Sequence, residues 1–201
     1  MKCKIVTGPS NYDLNDIFTK EKDDFIIGAD QGARMLAEND FHFNLALGDF
    51  DSVGKMTVEY IEDYCDEILK YSTSKDYTDT YLAVKEAIKR GYDEIIIYGG
   101  IGRRFDHTYA NINLLKLGNI KIVTTNEIIY TLDPGEYLID NDSKYISFFA
   151  IEDVQKLSLR DFKYELEETD VDSYNPLCIS NEGRGTVSFT EGLLLVVHQN
   201  E

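Results

Sequence analysis

The apolar rhythm of this chain changes once, near residue 126, and that change constrains its folding more than any other feature. Before it, short apolar runs alternate with helical periodicity, the pattern of a sheet flanked by helices. Residues 4–7, 24–28, 44–47, 94–98 and 120–124 read as strands. A helix is expected through Ala33 and Leu36, and another over residues 106–117. Tyr77, Tyr81, Val84 and Ile88 fall at i, i+4, i+7 and i+11, one stripe of an amphipathic helix closed by Gly91. After the change, strand-like runs follow one another at 128–132, 137–139, 145–150, 156–159, 186–189 and 193–197, with Asp133-Pro134-Gly135 as a turn. No helical pattern interrupts them. The expected fold is an α/β N-terminal domain with a mostly parallel sheet, residues 1–125, followed by an all-β sandwich C-terminal domain, residues 126–201.

Charge narrows the partners. With 37 acidic and 20 basic residues the chain carries a formal charge of -17. Nucleic acids and anionic membranes are bound by basic patches, so neither is expected. A nucleotide stays possible if a metal ion carries its phosphates. Cys3, Cys65 and Cys178 are scattered singly, which suggests neither a disulfide framework nor a zinc site. The first residues hold too short an apolar run for a signal peptide, and no run approaches the ~20 apolar residues of a membrane span. A cytoplasmic protein is expected.

The chemistry-bearing segments follow strands of the first half, where ligands of open α/β sheets bind. In Gly48-Asp49-Phe50-Asp51-Ser52 an extended backbone would set Asp49 and Asp51 on one side, ~6.5–7 Å apart. Two such carboxylates repel unless a cation joins them, and hard oxygen donors suit magnesium. A polar turn that caps a helix would use the same residues. Ser74-Lys75-Asp76-Tyr77-Thr78-Asp79 opens the 77–88 helix, placing Asp76 and Asp79 at i and i+3. Carboxylates are common in a first helical turn for the dipole alone. Gly99-Gly100-Ile101-Gly102-Arg103-Arg104-Phe105-Asp106-His107 joins a strand to a helix. Its glycines let N–H groups approach phosphate oxygens, and arginine matches phosphate geometry. His107 stands at a helix start, where histidine is more often structural than a catalytic base. Asp30, after another strand, could cap a helix or face the metal. There is no GxxxxGK[ST] phosphate loop, no protein-kinase signature and no HExxH.

Taken together these segments resemble the thiamine pyrophosphokinase family. Ala29-Asp30-Gln31-Gly32-Ala33, Gly48-Asp49-Phe50-Asp51-Ser52, Lys75-Asp76-Tyr77-Thr78-Asp79 and the 99–107 run stand in that family's order. Ile179-Ser180-Asn181-Glu182, Thr186-Val187-Ser188-Phe189-Thr190 and Gly192-Leu193-Leu194-Leu195-Val196-Val197 resemble its thiamine-binding half. The resemblance implies an ATP-binding catalytic α/β domain and a thiamine-binding β-sandwich, assembled as a homodimer with thiamine at the subunit interface. It implies transfer of diphosphate from ATP to the thiamine hydroxyl, giving thiamine diphosphate and AMP. Asp49, Asp51 and Asp79 would ligate Mg2+, and Asp30, Asp76 and Asp106 would complete the acidic site. Lys75, Gly100, Gly102, Arg104 and His107 would attend ATP, and Ser180 and Asn181 would contact thiamine. Asp79 and Asp106 both stand as acceptors of the hydroxyl proton.

Departures from the pattern are Gln31 where many relatives carry glycine, no glycine before Lys163-Tyr164, and no tryptophan to stack on thiamine. Asp49-Phe50-Asp51-Ser52-Val53 also satisfies the DxDx[TV] pattern of haloacid-dehalogenase-like phosphatases, in which Asp49 would be phosphorylated. A non-catalytic nucleotide or thiamine sensor, or a pyrophosphokinase for another alcohol such as a pterin, are further alternatives.

Overall fold

Cys3, Ile5 and Val6 on β1 (Lys2–Thr7) are all fully buried, as a strand covered on both faces must be. The computed structural model describes residues 1–8, 12–50, 55–71, 77–102, 104–140 and 142–200, and it divides into two units, Met1–Thr125 and Asn126–Glu201. In the first unit β1 is joined by β2 (Phe25–Ala29), β3 (Phe43–Gly48), β4 (Cys65–Lys70), β5 (Glu94–Tyr98) and β6 (Ile120–Val123). All are parallel, in the order β4-β3-β2-β1-β5-β6. The chain steps outward from β1 to β4, then returns to the other flank of β1 with β5. That reversal between β1 and β5 is the topological switch point at which such sheets open a crevice.

The helices are α1 (Leu14–Ile17), α2 (Gln31–Glu38), α3 (Lys55–Glu62), α4 (Asp79–Lys89) and α5 (Phe105–Leu114). Helix α2 lies almost on the backbone of β1. A Cβ added at Gly32 would sit 2.0 Å from the Val6 carbonyl oxygen, so only glycine permits that approach. Helix α4 begins at Asp79 and turns Thr80, Ala83, Val84 and Ala87 inward. The expected stripe is therefore off by a face: Val84 is buried, but Tyr77 and Ile88 are exposed. Small residues win the inner face because α4 packs close to the sheet, and the tyrosines stack on each other outside it.

The second unit contains β7 (Glu127–Leu132), β8 (Gly135–Ile139), β9 (Tyr145–Arg160), β10 (Leu166–Val171), β11 (Ile179–Asn181), β12 (Gly185–Phe189) and β13 (Glu191–Gln199). Strand β9 is continuous where two separate strands were expected. Its first half pairs with β13 and β11, its second with β12 and β10, all antiparallel. Ile146, Phe148, Leu194 and Val196 from the first set meet Leu157, Leu159 and Val187 from the other in one buried cluster. Glu152 and Asp153, which look like a break, lie exposed where β9 passes from one set to the other. Among the described residues no helix is long and apolar enough to cross a membrane.

Candidate active site

Strand register brings the functional segments together. Thr7 lies opposite Ala29, Ala29 opposite Leu47, and Val6 opposite Tyr98. The residues just past these strands, Gly8, Asp30, Asp49 and Gly99, therefore leave one edge of the sheet together. A cavity of about 250 Å3 lies there, walled by Thr7 and Gly8 at the exit of β1, Asp30 just after β2, and Thr78, Asp79 and Thr80 at the start of α4. Its remaining wall includes Gly100, Gly102, Arg104, His107 and Asn111.

Asp30 occupies the left-handed region at φ 47° and ψ -111°, a conformation costly for most side chains. Its N–H donates to the Leu47 carbonyl at 2.8 Å, and a Cβ on Gly48 would sit 3.2 Å from the Asp30 Cα. The β2 and β3 exits are thus pressed together. Asp30 makes no side-chain cap hydrogen bond to α2, and it lines the cavity.

Asp49 follows β3, half-buried, but the stretch does not stay extended. Phe50 turns inward to 4% exposure at φ 55°, because its ring joins the core, and the pleat ends there. The expected spacing of an Asp49–Asp51 pair rests on Asp51, which is outside the described residues. Asp51, Lys75 and Asp76 lie outside the described residues, as do Ser52, Ser74 and Arg103. Among the described residues, no three His, Cys, Asp or Glu side chains gather closely enough to hold an ion.

Helix α4 is aimed by two threonines. Thr78 caps it by accepting from the Tyr81 N–H, and the Thr80 hydroxyl pairs with that of Thr7 at 2.9 Å in a buried contact. Asp79 is consequently fixed in the first turn with the cavity before it. Helix α5 starts beside it after the glycine turn. The Gly102 N–H donates to Thr108 Oγ1 at 3.0 Å, and Asn111 Nδ2 donates to the Gly100 carbonyl at 2.7 Å. Two helix N-termini of ordinary length thus face one cavity, an arrangement that favours a polyanion.

Asp106 is committed to Arg104. The guanidinium donates through Nε at 3.1 Å and through Nη2 at 2.6 Å, and both side chains are exposed. Hydrogen bonds from Arg104 hold the Asp106 carboxyl below the usual carboxylate range. Arg104 and His107 wall the cavity; Asp106 orients the arginine from the side. In the second unit Ser180 is exposed on β11, whereas Asn181 is 1% exposed. The Asn181 amide accepts from the Tyr164 N–H at 2.9 Å and donates to the Tyr164 carbonyl at 2.6 Å, so its side chain clamps the Tyr164 backbone.

Thr7, Thr78, Thr80, Thr108 and Asn111 escaped sequence reasoning. The available signal was position: each lies at a strand exit or in the opening turns of a helix that follows a motif.

Comparison with known proteins fits this architecture. Residues 19–124 match the family model described as thiamin pyrophosphokinase, catalytic domain, and residues 136–194 match thiamin pyrophosphokinase, vitamin B1 binding domain. The thiamine pyrophosphokinase of Bacillus subtilis is 38% identical over 186 residues, which is 87% of each chain. The solved thiamine pyrophosphokinase of Bacillus subtilis superposes with a TM-score of 0.86 at 35% identity, covering all of both chains. A thiamin pyrophosphokinase family protein of Enterococcus faecalis gives 0.88 at 27% identity, again over all of both chains. The two family matches fall one within each unit, and with the curated relative they show that this chain belongs to the thiamine pyrophosphokinase family.

Proposed function

We propose that the chain transfers the terminal diphosphate of ATP to the hydroxyl of thiamine, releasing AMP and thiamine diphosphate. The observation that carries this reading is the cavity at the β1/β5 switch point, where Asp30, Asp79, the glycine turn and two helix N-termini converge in a chain of this family. The haloacid-dehalogenase-like phosphatase and the non-catalytic sensor are not favoured: Asp49 follows the third strand, and the relatives are pyrophosphokinases.

The aspartates near the cavity offer hard oxygen donors, which suits Mg2+. Asp49, Asp51 and Asp79 are the proposed ligands, with Asp30 and Asp76 completing the acidic wall. Magnesium, when bound, supplies neutralisation of phosphate oxygens. The protein's own residues do the positioning. Gly100, Gly102 and the start of α5 present N–H groups to phosphate, with Lys75, Arg104 and His107 adding positive charge or donors. Asp106 holds the Arg104 fork in place and, unlike Asp79, does not wall the cavity. Proton acceptance is therefore assigned to Asp79.

The second unit is read as the thiamine-binding sandwich. Ser180 contacts thiamine, and Asn181 serves by holding Tyr164 beside it. Assembly as a cytoplasmic homodimer, with thiamine at the subunit interface, completes the reading. Purified protein given ATP, magnesium and thiamine should yield AMP and thiamine diphosphate in equal amounts by chromatography. ADP with thiamine monophosphate, or inorganic phosphate without a thiamine product, would overturn it.

A further inference from the structure

One buried polar group in the cavity wall is left over from the site described above. Asn111, on α5, is 2% exposed. Its Nδ2 donates to the Gly100 carbonyl at 2.7 Å. A carbonyl only accepts, so this bond dictates which way the amide faces. Among the described residues, Asn111 Oδ1 is then buried with no hydrogen-bond partner. An apolar side chain of similar size would fill the same space without stranding an acceptor, so the gain from asparagine must lie in what its nitrogen does.

The nitrogen holds a turn in an unusual shape. Gly100 has φ 76°, and a Cβ there would meet Asn111 Nδ2 at 2.8 Å and Thr7 Cγ2 at 3.2 Å. The Gly99 N–H is spent on the Val123 carbonyl and the Gly102 N–H on Thr108 Oγ1. Between them, among the described residues, the N–H groups of Gly100 and Ile101 have no protein acceptor, and both residues wall the cavity. Successive N–H groups in a glycine turn form an anion-binding concavity.

We propose that Asn111 is a positioning residue for nucleotide phosphate: by gripping the Gly100 carbonyl from behind, it sets the Gly100–Ile101 peptide plane and turns the Ile101 N–H toward the cavity. The inference rests on the reading that this cavity takes ATP. Asn111→Asp keeps the shape and removes the donor at neutral pH, whereas a protonated carboxyl can donate to the Gly100 carbonyl again. The expected result is a roughly tenfold weaker Kd for α,β-methylene ATP by calorimetry, and a KM for ATP raised to match. KM for thiamine should stay within about twofold. Relative to the unsubstituted protein at each pH, the ATP defect should shrink as pH falls toward the carboxyl range. Asn111→Ser, which loses the reach to Gly100 without adding a charge, should weaken the analogue too and show no such recovery, which separates loss of the donor from charge repulsion. Equal effects on both substrates, unchanged nucleotide affinity, or a defect indifferent to pH would overturn the proposal. Should Asn111→Asp fail to fold, Asn111→Ser, whose shorter hydroxyl loses the reach to Gly100, is read by the same Kd; unchanged affinity there overturns it too. If the unsubstituted protein itself fails to bind the analogue, the nucleotide reading of the cavity has failed, a result separable from all of these.

Discussion

At the scale of single residues, what matters is which carboxylates are free to act and which are occupied. Asp106 stands in a motif that invites a catalytic role, yet both its oxygens are taken by Arg104. Spacing alone could not reveal this, because Arg104 and Asp106 are only two positions apart and such neighbours point apart in a regular helix. They meet because Arg104 sits at the cap, with extended backbone, and reaches forward over the first turn. If Asp106 acts through Arg104, Asp106→Asn should lower kcat/KM by about tenfold, whereas loss of a general base costs roughly 10²–10⁴-fold. Arg104→Ala and the Arg104→Ala/Asp106→Asn double variant should then be equally impaired, since the second change removes a partner already lost. Steady-state kinetics on the three variants checks this; a double variant much worse than Arg104→Ala would return Asp106 to direct chemistry.

At the scale of elements, the strands of the first unit that were legible are those with largely apolar, buried runs. β1, β2, β3 and β5 show as apolar runs because a parallel sheet under helices demands it, and β6 shows through Ile120, Ile122 and Val123. β4 does not, since it is an edge strand whose Cys65-Asp66-Glu67-Ile68-Leu69-Lys70 is half-exposed and charged, as edges tend to be. Helix α3 was missed for want of a decisive apolar stripe, and β10 because Leu166-Glu167-Glu168-Thr169-Asp170-Val171 reads as an acidic loop. The site was legible to the extent that its residues follow strands. The inward turn of Phe50 and the Asn181 clamp were not, because both depend on packing against residues distant in sequence. Gly32 shows how tightly one element fixes another. With the Val6 carbonyl 2.0 Å from where a Cβ would stand, Gly32→Ala must push α2 off β1 and displace Asp30 at its start. A loss of about 3 kcal/mol or more is expected, in the range of severe overpacking. Chemical denaturation measures it, and a change under about 1 kcal/mol would mean that α2 can lift without cost.

At the scale of the whole molecule, a chain of charge -17 handles two substrates of opposite sign. Its field repels the nucleotide and attracts the thiazolium of thiamine before either makes contact. On the proposed reading of the cavity, helix N-termini, glycine N–H groups, Arg104 and magnesium offset the repulsion for ATP at close range. For thiamine the long-range field works in the same direction as binding. Raising salt shortens the screening length from ~30 Å at 0.01 M to ~10 Å at 0.1 M, which dims the long-range part and leaves buried contacts largely intact. The two Michaelis constants should therefore move in opposite directions with sodium chloride at fixed free magnesium. KM for thiamine should rise by roughly two- to fivefold over that range, and KM for ATP should stay level or fall. Initial rates with each substrate varied in turn decide it. If both constants rise together, local contacts and not the acidic field govern the approach of thiamine, and the composition of the surface has no part in selecting this substrate.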